Sequence, residues 1–128
     1  TATEPRRNAQ VACNVTVMGD LLAQDPGAYL SVIGDLNSFF NSLPIQTLRE
    51  GGLVHAFDRL PAKERYTYVY EGVSQTLDHI LMTPSLDALV QQVIVLHVNA
   101  DYPIPAPDDF SAMHKSDHDP VIVIFSLP

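Results

Sequence analysis

The sequence predicts an α/β or α+β domain, and three observations carry that expectation. Apolar residues recur at helical spacing near the N-terminus, short β-branched runs follow, and most of the ten prolines and six glycines fall between the apolar runs. At 128 residues, 46% hydrophobic and 17% charged, the chain has the size of one domain and enough apolar material for a core. No apolar stretch is long enough to span a bilayer, and none has the basic-then-apolar layout of a signal peptide.

Thr3-Glu4-Pro5-Arg6 reads as a helix start, with a capping hydroxyl, an acid and a proline in the first turn. Val11, Val15, Met18 and Leu22 form its apolar stripe, which ends near Asp25-Pro26-Gly27. Arg6, Arg7 and Gln10 on the opening turns read as a solvated face rather than a phosphate contact, and Cys13 as a buried structural thiol. Tyr29 to Ile33 is a strand stopped by Gly34. Residues 38 to 49 suggest a turn and then a helical segment around Pro44, closed by Gly51-Gly52. Leu53 to Leu60 is ambiguous, and His55 within it reads as packed or surface rather than as a ligand.

Arg65 to Tyr70 has strand propensity, and Glu71-Gly72 supplies a turn into Ser74 to Met82, so the pair reads as a hairpin ended by Pro84. Ser85-Leu86-Asp87 begins a short segment before a strand over Val93 to Val98. Pro103, Pro105 and Pro107 make residues 99 to 115 a loop, and Val121 to Phe125 is the last strand.

The net charge of −8 argues against a broad basic surface that grips nucleic acid by counterion release. It does not exclude a nuclease, because metal-dependent phosphodiesterases concentrate carboxylates and let the cation meet the phosphate. A single cysteine leaves the redox compartment open.

Polar residues gather where apolar runs end. Gly34-Asp35-Leu36-Asn37 closes one run, Asp78-His79 lies in another, and Ser116-Asp117-His118-Asp119-Pro120 precedes the last strand. Carboxylates, an amide and a histidine are the groups that phosphodiester hydrolysis needs: an activated water, charge stabilisation on the phosphoryl oxygens and help for the leaving oxygen. Either Asp78 or Asp117 could fix the His118 tautomer, and the remaining carboxylates could hold a hard cation such as Mg²⁺. His114 and His118 are four apart, but the flanking prolines argue against a zinc-binding helix. There is no Gly-x-Ser-x-Gly elbow, Walker A loop or dinucleotide fingerprint. His79 and His97, within apolar runs, read as hydrogen-bonded core or interfacial histidines.

In order and spacing, Val32-Ile33-Gly34-Asp35-Leu36-Asn37, Ser74-Gln75-Thr76-Leu77-Asp78-His79-Ile80-Leu81 and Ser116-Asp117-His118-Asp119-Pro120-Val121 resemble the C-terminal half of the endonuclease/exonuclease/phosphatase family, the deoxyribonuclease-like phosphoesterases. Arg6 to Gln10 and Arg65 to Gly72 look particularly like bacterial predicted extracellular nucleases of that family. The resemblance implies half of a four-layer α/β/β/α sandwich, with one mixed, mainly antiparallel sheet and flanking helices. Residues 1 to 128 would then be a single partial domain.

The resemblance also implies roles. Asp35 and Asn37 would contact the attacking water and the scissile phosphate, and Asp78 would orient His118. Asp117 would be a metal ligand, and Asn37 and His118 would bind substrate. Whether Asp35 or His118 is the general base stays open. The implied cofactor is Mg²⁺, with Mn²⁺ or Ca²⁺ as alternatives. The implied partner is DNA or RNA, and the implied location is extracellular or periplasmic. The alternatives are a phosphomonoesterase, a phospholipid phosphodiesterase, or a non-catalytic half-domain that self-associates through an exposed sheet face. The family's upstream asparagine, glutamate and histidine are absent from this sequence, so the chain alone is expected to be inactive.

Overall fold

The first helix shows how the apolar pattern meets three dimensions. The computed structural model describes residues 3 to 127. Helix α1 spans Glu4–Gln24 with Pro5 in its first turn, and Val11 and Met18 are buried while Val15 is half-buried. Thr3 occupies the N-cap position without capping; its hydroxyl instead accepts from Arg7 at 2.6 Å. Cys13 is exposed, against expectation, because it lies off the stripe that begins at Val11.

Strand β1 is Ser31–Asp35, two residues later than expected, and Gly34 lies inside it with φ 132°. Pairing overrides the local breaker: Gly34 sits opposite His79, and Asp35 opposite Asp78, in an antiparallel ladder. Helix α2, Leu43–Glu50, carries Pro44 in its first turn and buries Ile45 and Leu48 completely. Strand β2, Val54–His55, and two short 3-10 turns follow, and they resolve the ambiguous stretch.

The hairpin is real but short. Strands β3, Tyr68–Tyr70, and β4, Val73–Gln75, flank a two-residue turn whose Glu71 and Gly72 both have positive φ, 48° and 78°. That is the backbone a tight hairpin requires. Residues 78 to 82 leave the hairpin and become strand β5, Asp78–Met82, which runs between β1 and β2. Helix α3, Pro84–Asp87, leads to β6, Val90–Val95, which starts earlier than expected and pairs with β7, Val121–Phe125.

The chain is thus α+β, and every ladder pair among the described residues is antiparallel. The strands form three hydrogen-bonded groups, β1-β5-β2, β3-β4 and β6-β7, rather than one continuous sheet. Strand alternation lets β5 serve two cores. Leu81 packs with Val11, Met18, Ile45 and Leu48, whereas Met82 packs with Phe57, Val90, Val93 and Val95.

Candidate active site

Asp35 and Asp78 are brought together by register alone. They close the open end of the β1–β5 ladder as cross-strand partners, where side chains are near neighbours. His118 joins them from the segment before β7. An isolated antiparallel bridge pairs Tyr68 with His118, and the Asp119 amide donates to the Thr67 carbonyl at 2.7 Å.

At the centre, His118 Nδ1 lies 2.6 Å from Asp78 Oδ2, so Asp78 rather than Asp117 is its carboxylate partner. The Thr67 hydroxyl donates to the same oxygen at 2.6 Å and accepts from the amides of Leu77 and Asp78. Both members of the pair are about three-quarters covered, with side-chain exposures of 24% and 22%. Burial disfavours the imidazolium, but the hydrogen bond and charge of Asp78, with smaller contributions from Asp117 and Asp35, outweigh it and leave the His118 pKa raised. The Tyr68 ring lies beside the imidazole, 4.8 Å between centroids.

Asp35 and Asn37 form a self-braced loop. Asp35 Oδ1 accepts from the Asn37 amide at 2.8 Å and Oδ2 from the Asn37 side chain at 3.2 Å, with Asn37 at φ 47°. Both side chains are exposed. A groove of about 520 Å³ runs between this loop and α1, with Arg7, Gln10 and Asn14 on its helical wall. Arg7 is half-buried there, whereas Arg6 and Gln10 are exposed, as the solvated face expected from sequence requires.

Asp117 is exposed on the turn beside His118. Among the described residues no group of three or more His, Cys, Asp or Glu side chains is placed to hold a metal ion. Asp35, Asn37, Asp78 and His118 therefore gather at one ladder end, while Asp117 stands apart from any ligand set.

No protein-family model and no curated protein matches this chain. Among solved structures it is similar to the crystal structure of truncated Caenorhabditis elegans TDP2, tyrosyl-DNA phosphodiesterase 2, with a TM-score of 0.64 and 19% identity. What the two chains share is the fold. The match covers 94% of this chain and 48% of the other, so this chain spans about half the length of its structural neighbour. Nothing in that likeness singles out the bacterial extracellular nucleases.

Three scaffold residues escape sequence reasoning. Thr67 carries no signal beyond strand propensity, yet it braces Asp78. Asp119, only 2% exposed, accepts from the amides of Val98, Asn99 and Ala100 and pairs with His97 at 2.8 Å. Asn99 then donates to the His118 carbonyl at 2.7 Å and fixes that residue's backbone. The adjacency of two aspartates and a histidine in 117 to 119 was the available signal; Asp119 is the carboxylate that turns inward, onto residues 97 to 100.

Proposed function

We propose that this chain is the histidine-bearing half of a divalent-metal-dependent phosphodiesterase, most simply a nuclease acting on DNA or RNA. The observation that supports it is the convergence of Asp35, Asp78 and His118 at one ladder end, on a fold shared with a tyrosyl-DNA phosphodiesterase. With Nδ1 committed to Asp78, His118 has Nε2 for the substrate. As imidazolium it donates to a phosphoryl oxygen and offsets charge that develops there; as imidazole it accepts the proton of the attacking water. The exposed Asp35 and Asn37 supply the facing acceptor and donor for that water and the phosphate.

A bound Mg²⁺, or Mn²⁺ or Ca²⁺ in its place, would stabilise charge on the phosphoryl oxygens. The residues present do not complete a centre for it: Asp117 is one exposed carboxylate, and among the described residues no three or more His, Cys, Asp or Glu side chains are grouped to hold a metal ion. Further ligands would come from the half of the fold that this chain does not span, and the isolated chain is expected to turn nothing over. Secretion, like the extracellular-nuclease subtype, rests on the sequence resemblance alone. No helix among the described residues is long and apolar enough to cross a membrane.

The test is turnover in the full-length protein on plasmid DNA, an RNA, inositol phosphates and sphingomyelin. His118→Ala and Asp78→Asn should each lower phosphodiester cleavage by about 10²- to 10⁴-fold, with little change in KM. Near wild-type rates in either variant would remove that residue from the mechanism, and cleavage confined to inositol phosphates or sphingomyelin would replace the nuclease reading.

A further inference from the structure

Beneath the Asp35 loop runs a line of hydrogen bonds that the proposed chemistry does not use. The Phe57 amide donates to His55 Nδ1 at 3.0 Å, His55 Nε2 lies 2.9 Å from His79 Nδ1, and His79 Nε2 lies 2.7 Å from the Ser38 carbonyl oxygen. The two ends dictate the direction. A backbone N–H only donates and a carbonyl only accepts. His55 Nδ1 must therefore be bare, which puts its proton on Nε2, facing His79 Nδ1. His79 Nδ1 accepts, which puts that ring's proton on Nε2, facing Ser38. Every donor and acceptor in the line is satisfied only when both rings are neutral.

The surroundings agree with that state. His55 is 0% and His79 1% exposed. Around His55 stand the rings of Phe40 and Phe57, the Arg49 and Arg65 guanidiniums, the Asp58 carboxylate and His79. Around His79 stand Ser38, Asp78, Asp35 and Arg49. Arg49 is occupied by Asp58 at 2.6 Å. Burial, the largest influence on each ring, disfavours the charged forms.

Strand alternation explains why this line lies where it does. Asp78 and His79 are consecutive, so they leave β5 on opposite faces. Asp78 meets His118, while His79 reaches into the core and catches the loop that carries Asp35 and Asn37. The Leu36 amide on the Leu77 carbonyl, 3.0 Å, ties the start of that loop to β5, and the His79–Ser38 bond ties its end.

We propose that His55 and His79 are positioning residues: a neutral two-histidine relay that sets where the Asp35–Asn37 loop sits over β5. Its catalytic meaning rests on the phosphodiesterase reading; the relay itself does not. Protonating either ring would set two hydrogens against each other, at Phe57 or between the rings. Removing His79 would strand the Ser38 carbonyl and the His55 Nε2–H without partners in the core.

Imidazole ¹⁵N spectroscopy on this chain tests the relay directly. Both rings should show the Nε2–H tautomer at pH 7 and protonate only below the ordinary imidazole range. A Nδ1–H tautomer in either ring, or protonation of either at or above the ordinary pKa of 6.5, overturns the proposal. His79→Leu should raise amide exchange at Leu36 and Asn37 by about tenfold or more, with β6 and β7 unchanged. His79→Gln, whose amide nitrogen can replace Nε2, should return most of that protection. Equal loss in both variants, or none in either, would reduce His79 to a filler of space. If the Leu variant does not fold, the wild-type tautomers decide alone. Absence of phosphodiesterase activity in the full-length protein would remove the functional reading and leave these results standing.

Discussion

His118 is pulled in two directions, and which pull wins is measurable. Burial favours the neutral ring, whereas Asp78, backed by Asp117 and Asp35, favours the charged one and prevails. An NMR titration should give a pKa above the ordinary 6.5, and Asp78→Asn should bring it back to that value or lower. A wild-type value at or below 6.5 would contradict the pairing. The sign for stability follows: the folded pKa is raised, so the contribution of the pair is complete below the unfolded pKa and is lost as pH rises through the folded one. Residue types made Asp35, Asp78 and His118 visible in the sequence. Thr67 was not, because a threonine entering a strand looks the same whether or not its hydroxyl braces a carboxylate.

At the level of elements, the helix α1 and the last strand were legible because each follows one period without interruption. The middle of the chain was less so. Ser74 to Met82 reads as one strand by propensity, but β4 pairs with β3 and β5 with β1 and β2, a division made by long-range partners. The packing of α1 on α2 gives a direct check at this scale. A Cβ on Gly51 would meet Val15 Cγ2 at 2.8 Å and the Leu48 carbonyl at 3.2 Å. Gly51→Ala should therefore push the helices apart and cost about 1–3 kcal/mol in a denaturant melt, as overpacking does. Its φ of −70° is ordinary, so unchanged stability would mean that the contact relaxes freely.

For the whole molecule, acid should be the weak direction. His55, held down to about 3, and His79, also lowered, are neutral when folded and charge on unfolding below pH 6.5. Their contribution to stability is complete above 6.5 and falls as pH drops toward the folded values, each by up to about 1.4 kcal/mol per pH unit. Melts at pH 7, 6 and 5 should show a falling Tm, with the two buried rings outweighing the opposite contribution of the single His118–Asp78 pair, and a rising Tm would mean that the two rings are not buried neutral. The surface carries a second expectation. Ile33 is 65% exposed on β1, and Ile122 and Ile124 are 39% and 45% exposed on β7, apolar area of the kind that drives association. Sedimentation velocity should show concentration-dependent self-association that Ile33→Lys or Ile124→Lys reverses. A wild-type chain monomeric at every concentration would dispose of it. That surface was legible only through the resemblance, since alternation in a short strand does not tell which face lacks a neighbour.

The back-to-back placement of Asp78 and His79 bears on which length changes the gene could accept. Inserting or deleting one codon in β5 would swap the two faces, turning a carboxylate into the core and the histidine outward at one stroke. A deletion scan should therefore find residues 78 to 82 intolerant while the proline-bearing stretch 103 to 107 accepts loss, because two adjacent letters there serve opposite sides of one ribbon.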